Sequence, residues 1–289
     1  MSIDKVYDNE LEECKKQLIQ LRNENDELLS ELHKVNEKLC DSEQLKGHFI
    51  SNVSNEIVNP FSSIIALSQG IKQLNAGEIQ EAHHMASLIL NEAFHLDFQL
   101  QNIFAAALIE AGKEEVQSSV VDLNELLQQI DQYFHPLLEK KQIRLLQSID
   151  NSSAKFSTDK EKLELILKNL VSNSIKYSPE NSTIGVSLSR VDSSLKIEVS
   201  DQGKGIHTED RNIVFDRFKQ LDEKINSINT GHGLGLSIVK AYTEMLDGNV
   251  ELIDNKYSGI TLRVIIPECM TTEKWDDLDG FIFDAEARY

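Results

Sequence analysis

The sequence predicts a helical N-terminal half followed by a mixed α/β domain with helices on one face of a sheet. Three observations carry this prediction. A heptad of apolar residues runs from about Leu11 to Phe49. Two stretches between residues 46 and 113 keep the 3.6-residue apolar period of amphipathic helices. From Val121 to Pro267, short apolar runs alternate with helical ones. The expected fold class is therefore α + α/β. A coiled coil (1–45) leads into a helical hairpin (46–113) that doubles into a dimeric four-helix bundle. An α/β sandwich (114–267) and an acidic tail (268–289) follow.

The heptad places Leu11, Leu18, Asn25, Leu32 and Leu39 at a, and Cys14, Leu21, Leu28 and Val35 at d. Charged and amide residues fill the other positions, which leaves a narrow seam suited to a partner helix. A single a-position asparagine, Asn25, specifies a parallel two-stranded register at some cost in stability. Ser42 and Lys46 then fall on the seam, so the coil weakens just before the hairpin.

The first hairpin helix carries Phe49, Val53, Ile57, Ile64, Leu67, Ile71 and Leu74 on one face, with Asn59-Pro60 as a candidate kink. Asn75-Ala76-Gly77 is a turn. The second helix, about Glu78 to Ala111, shows apolar residues at Met85, Leu88, Ile89, Leu96, Leu100, Ile103, Ala107 and Leu108, and Gly112-Lys113 ends it.

Val121 to Leu138 reads as a strand entry and a helix capped by Asp122 or Asn124. A strand follows at Ile143–Ile149, then a helix from Lys160 to Tyr177 capped by Asp159. Strands are expected at Thr183–Val191, Leu195–Asp201, Asn249–Asp254 and Gly259–Ile266, with a helix from about Leu234 to Leu246. The tail gathers acidic residues around Trp275 and Phe281-Ile282-Phe283.

The net charge of −19 argues against nucleic acid and anionic membrane as partners. The three cysteines lie far apart without a CxxC pair, as in a reduced cytoplasmic protein. No apolar run approaches the ~20 residues that span a bilayer. The expectation is a cytoplasmic protein with no membrane insertion.

Four motifs between 169 and 236 point to one chemistry. In Asn169-Leu-Val-Ser-Asn173-Ser-Ile-Lys176-Tyr177, residues 169, 173, 176 and 177 share a helix face. Amide oxygens there can ligate Mg²⁺, the lysine can meet phosphate oxygens, and the tyrosine can stack a base. Asp201-Gln-Gly203-Lys-Gly205 places a carboxylate at a strand end, able to accept from an exocyclic amine, beside glycines that admit a ligand. Phe215-Asp-Arg-Phe218 lies in an irregular segment. Gly231-His232-Gly233-Leu234-Gly235-Leu236 precedes a helix start, where free N–H groups favour phosphate.

In this order and spacing, the motifs resemble the nucleotide-binding boxes of the sensor histidine kinase family, whose ATP-binding fold is shared with gyrase and the mismatch-repair ATPases. The resemblance covers about Leu45 to Pro267. It implies ATP and Mg²⁺ as cofactors, with Asn173 as the Mg²⁺ ligand and Asp201 as the adenine reader. Asn169, Lys176 and Tyr177 would line the nucleotide. Gly203, Gly205, Phe218, Gly231, Gly233, Leu234, Gly235 and Leu236 would shape the pocket and lid. His232 departs from the small hydroxyl residue usual in the family.

The same resemblance reaches the first hairpin helix. Ser54, Glu56, Asn59 and Pro60 match the phosphoacceptor motif Ser-His-Glu-x-x-[Asn/Thr]-Pro, but Asn55 stands where the family has histidine. A carboxamide nitrogen is delocalised and non-nucleophilic, so Asn55 is not expected to accept a phosphoryl group. Glu56 and Asn59 remain, and in the family the residue at the position of Asn59 orients the water that hydrolyses a receiver's aspartyl phosphate. His48, His83, His84 and His95 lack the motif.

The resemblance implies a dimeric, ATP-binding regulator that sequesters or dephosphorylates a response-regulator receiver domain, or modulates a partner kinase. Two alternatives stay open. One is an active kinase using another acceptor, or carrying an engineered change at 55. The other is a non-enzymatic coiled-coil interaction protein with a vestigial ATP domain.

Overall fold

The computed structural model describes residues 18, 20–25, 27–36, 54, 57–75, 77–150, 154–211, 213–216, 233–255 and 258–269. The chain divides into two units, Met1–Ser54 and Asn55–Tyr289.

In the first unit the described residues are helical, in agreement with the heptad. Leu18, Leu21, Leu28, Leu32 and Val35, the expected seam, are all exposed in the single chain.

The second unit opens with helix α1 over residues 57–73, which continues through Pro60. Ile57, Pro60, Ile64, Leu67, Gly70, Ile71 and Leu74 lie on its half-buried or buried side, as the sequence stripe predicts. A turn follows, closed by Glu78 Oε2 accepting from the Asn75 N–H at 2.7 Å. Helix α2 (Ile79–Glu110) then packs back, and a methyl group at Gly70 would lie 3.2 Å from the Met85 sulfur. The end of α2 is fixed by its glycine. Gly112 takes φ +61°, its N–H bonds to Ile109 O, and the Lys113 N–H bonds to Leu108 O. This six-to-one and five-to-two pair satisfies the last carbonyls.

Helix α2 uses a second face besides its apolar stripe. In the single chain the stripe (Met85, Leu88, Ile89, Leu96, Leu100, Ile103, Ala107, Leu108) is half-buried or exposed. The residues actually buried are Phe98, Asn102, Ala105 and Ala106. They face the α/β domain, a neighbour that local periodicity cannot reveal.

That domain begins with strand β1 (Ser118–Asp122) and helix α3 (Leu123–Lys141), whose cap is Asp122, accepting from the Asn124 and Glu125 N–H groups. Strands β2 (Arg144–Ile149) and β3 (Lys155–Asp159) lead to helix α4 (Lys160–Tyr177), capped by Asp159 as expected. Strands β4 (Thr183–Val191) and β5 (Ser194–Ser200) follow, then a short 3-10 turn at Thr208–Asp210. Helix α5 (Gly235–Met245) and strands β6 (Asn249–Asp254) and β7 (Ile260–Pro267) complete it.

Five strands form one sheet in the order β2-β4-β5-β7-β6. Only β2 and β4 run parallel; the remaining pairs are antiparallel. Alternation sets the two faces. Ile184, Val186, Leu188, Leu195, Ile197, Val199, Leu262, Val264 and Ile266 are buried on one face. The other face carries Lys196, Glu198, Glu251 and Arg263, linked by ion pairs. Helices α3, α4 and α5 cover the apolar face, and Leu163, Ile166, Leu167, Leu170 and Val171 of α4 fill the core. The strand β3 and its two-stranded sheet with β1 were not foreseen from the sequence. Strand β3 is buried at four consecutive positions, so it lacks the alternation that marks a half-exposed strand.

The connection between α2 and β1 is pinned to the domain. Lys162 Nζ, buried on α4, lies 3.1 Å from both Glu114 Oε2 and Asp159 Oδ2 and donates to Glu115 O at 2.7 Å. Tyr242 of α5 donates its hydroxyl to Glu114 Oε1 at 2.8 Å. Burial works against the Lys162 charge, but hydrogen bonds to Glu114 and Asp159 outweigh it and raise the pKa.

Candidate functional site

A cavity of about 750 Å³ opens between α2 and the α/β domain. It is large enough for a small organic ligand, whose sites span about 300–1,000 Å³. Its walls bring together most of the nucleotide-binding residues expected from the sequence. Asn169, Asn173, Lys176 and Tyr177 of α4, Asp201, Gly203 and Gly205 after β5, and Gly233, Leu234, Gly235 and Leu236 at the start of α5 all line it. Phe218, Gly231 and His232 lie outside the described residues, as do Asn55 and Glu56. Asn59 is exposed on the first described turns of α1 and is not among the lining residues.

Helix α4 delivers its four residues at different depths. Asn169 is buried, Asn173 and Lys176 are half-buried, and Tyr177 is exposed at the rim. The last turn is held by Lys141 at the end of α3. Its Nζ donates to Ile175 O (2.6 Å), Lys176 O (3.0 Å) and Ser178 O (3.3 Å). A cation on the terminal carbonyls complements the helix dipole. Burial lowers the pKa of this lysine, with Glu180 opposing the shift. The Tyr177 ring lies beneath two ammonium groups, Lys176 at 5.1 Å and Lys204 at 6.0 Å from its centre.

Asp201 directly follows the central strand β5. Its Oδ1 accepts from the N–H groups of Gly203 (2.9 Å) and Ile260 (3.2 Å), which fixes the carboxylate. Burial raises its pKa above the usual carboxylate range, and these two hydrogen bonds pull against that shift. Asn255 clamps the turn from behind, donating to Asp201 O (2.8 Å) and Ile260 O (3.0 Å).

The α5 start differs from the other helix starts of the domain. Helices α3 and α4 have aspartate caps, whereas among the described residues no side chain caps α5 and no acidic residue lies in its first turn. Its first amides are left for an anion. The turn approaches α4 so closely that a methyl group at Gly235 would sit 2.7 Å from Asn169 Oδ1 and 3.5 Å from Asn173 Nδ2.

These side chains suit a nucleotide with a hard divalent cation. Among the described residues, no group of three or more His, Cys, Asp or Glu side chains is placed to hold a metal. Beside the α5 start stand the neutral carboxamides of Asn169 and Asn173, the side-chain type expected where Mg²⁺ is held by one or two protein ligands together with phosphates.

The family comparison agrees with this geometry. Residues 158–269 match the histidine kinase-, DNA gyrase B- and HSP90-like ATPase family. The autoinducer 2 sensor kinase/phosphatase LuxQ of Vibrio parahaemolyticus is 30% identical over 234 residues, covering 78% of this chain and 27% of that protein. The chain belongs to the histidine kinase family. The sensor histidine kinase YcbM of Bacillus subtilis is 24% identical over 80% of this chain and 75% of its own length. The chain thus spans about a quarter of the LuxQ proteins it matches. The fold recurs in full-length ShkA in complex with AMPPNP, with TM-score 0.55, 22% identity, 78% of this chain and 46% of that one covered. It recurs too in the Acinetobacter baumannii histidine kinase AdeS, with TM-score 0.51, 21% identity and 74% and 98% covered. Among the described residues, no helix is long and apolar enough to cross a membrane.

Sequence reasoning missed the far wall of the cavity. Phe98, Gln99 and Asn102 of α2, Tyr133 and Phe134 of α3, and Lys141 line it as well. Phe94 and Phe98 meet the Tyr133 ring edge-on at 5.6 and 6.4 Å, and the Tyr133 hydroxyl donates to Phe94 O at 2.7 Å. Aromatic residues in both helices were the available signal. Their pairing is non-local, so no window of sequence displays it.

Proposed function

We propose that this chain is a dimeric regulatory member of two-component signalling that binds ATP with Mg²⁺ but does not phosphorylate itself at position 55. The carrying observation is the assembled cavity set against Asn55 at the phosphoacceptor position. Asp201 reads the adenine amine. Asn173, with Asn169 beside it, holds the cation. Lys176 and the uncapped α5 amides meet the phosphates. Mg²⁺ supplies charge neutralisation between phosphate oxygens when bound. Position 55 offers no lone pair capable of forming a phosphorus–nitrogen bond. That the ShkA structure holds AMPPNP supports this reading by likeness of fold.

The domain plan that goes with it is a coiled coil (1–45), a hairpin (46–113), the ATP-binding domain (114–267) and a tail (268–289). Dimerisation is supported by the bare seam leucines of the first unit and by Val58, Phe61, Leu90 and Phe104, exposed on the hairpin. The dimer presents its bundle to a receiver domain, and sequesters or dephosphorylates it, or pairs with a partner kinase. In dephosphorylation, Asn59 orients a water whose oxygen attacks the phosphorus. The acyl–phosphate bond breaks, and carboxylate and inorganic phosphate leave.

The test is direct. Incubation with γ-labelled ATP and Mg²⁺ should leave the protein free of acid-labile phosphate, while calorimetry records nucleotide binding. Phosphorylated receivers should lose label in its presence, and Asn59→Ala should abolish that loss. Robust self-labelling refutes the proposal.

A second reading, an active kinase with another acceptor, has one observation behind it: His95 of α2 lines the same cavity as Asn173. Label that disappears in His95→Gln would establish it. Activity gained only in Asn55→His would instead show an apparatus waiting for its missing imidazole.

A further inference from the structure

Two buried asparagines meet where α2 crosses the ATP-binding domain. Asn102 is 4% exposed and Asn169 3%. Asn169 Nδ2 donates to Leu165 O at 2.9 Å and to Asn102 Oδ1 at 2.7 Å. A main-chain carbonyl only accepts, so with α2 docked the Asn169 atom that faces both Leu165 O and Asn102 is its nitrogen. Both its hydrogens are thereby engaged on the side away from the glycine turn. Its oxygen faces Gly235, where the uncapped α5 amides open on the cavity.

The final torsion of an asparagine is broad and roughly two-fold, so the amide needs partners to choose between its two faces. Leu165 supplies one partner from within α4. Asn102 supplies the other, and only while α2 is docked on the domain. We infer that Asn102 is a positioning residue for the nucleotide site. From α2 it holds the Asn169 oxygen towards the cation and phosphates, so docking and metal-nucleotide binding favour each other. The inference rests on the Mg²⁺-nucleotide reading of the cavity. Leu88, Phe98 and Gln99 of α2 line the same space as Asn173 and Asp201, so the docked helix walls the cavity and does not fill it. The coupling is reciprocal: whatever docking does for nucleotide affinity, nucleotide does for docking.

The full chain tests this by calorimetry with ADP, with and without Mg²⁺. Asn102→Leu keeps the side-chain volume and removes the acceptor. It should weaken Mg-ADP binding roughly 2- to 10-fold, the effect of one hydrogen bond, and weaken metal-free ADP binding less. Asn102→Asp keeps an accepting oxygen and should restore the Mg²⁺-dependent part. Asn102→Ala gives the same answer should leucine disturb the packing. By hydrogen exchange, Mg-ADP should increase amide protection across residues 98–106 in the parent chain, and the gain should vanish in Asn102→Leu. Unchanged or tighter Mg-ADP binding in Asn102→Leu and Asn102→Ala, or protection that falls on nucleotide binding, overturns the positioning role. A parent chain that binds no Mg-ADP overturns the nucleotide reading itself, whereas binding that all variants share overturns the positioning role alone.

Discussion

Asp201→Asn separates what the Asp201 carboxylate does for a nucleotide from what it does for the fold. The residue is 7% exposed, and its Oδ1 accepts from two main-chain N–H groups. An asparagine oxygen can accept the same pair, so the turn survives. The nitrogen then takes the place of the second carboxylate oxygen and opposes an incoming exocyclic amine with N–H facing N–H. A hydrogen bond to a charged group contributes about 1.5–3 kcal/mol, so ADP affinity should fall roughly 10- to 150-fold. Stability should move the other way. Burial raises the carboxyl pKa in the folded chain, so the folded state disfavours this charge at neutral pH. The parent chain gains stability from this group as pH falls through the raised pKa, and Asp201→Asn lacks that dependence. ADP affinity in the parent should fall over the same interval as the carboxylate takes up a proton. Asp201→Ala provides the contrast: it leaves two buried donors unpaired, at about 1–3 kcal/mol each. Calorimetry with ADP and denaturant unfolding measure both quantities. ADP affinity within threefold of the parent in Asp201→Asn, or a stability loss matching that of Asp201→Ala, refutes the reasoning.

Three further outcomes follow from the same geometry. Lys162→Met leaves half-buried Glu114 and buried Asp159 without their cation and should cost about 3–5 kcal/mol by denaturant unfolding. Because the Lys162 pKa is raised, its contribution is complete below the ordinary lysine value of 10.5 and is lost as pH climbs through the raised one. Gly235→Ala sets a methyl group against an Asn169 amide already held by two acceptors. Overpacking of about 1–3 kcal/mol should exceed any helix-propensity gain, which is at most ~1 kcal/mol, so unfolding should be easier and ADP binding weaker. Lys141→Met frees the last turn of α4 from its three carbonyl bonds and should weaken ADP binding several-fold by calorimetry, since Lys176 and Tyr177 sit on that turn.

Elements whose signals are local were legible before any coordinates. The aspartate caps, the strands β4, β5 and β7 and the glycine stop of α2 fall where spacing and residue type place them. Caps, turns and periodicity involve atoms a few residues apart, so the sequence states them outright.

Tertiary structure decided which surfaces meet. The apolar period of α2 suggests one face, yet Phe98, Asn102, Ala105 and Ala106 are the residues withdrawn from water, because the α/β domain packs there. Asn102 and Asn169 are 67 positions apart, and nothing local marks either as the other's partner. Strand β3 is hidden at four successive positions, which erases the alternation by which a strand is recognised. The amide at position 55 is a property of composition, legible at once from the sequence. The roof over the nucleotide cavity is a property of packing, and packing joins residues by the area they bury, whatever their distance along the chain.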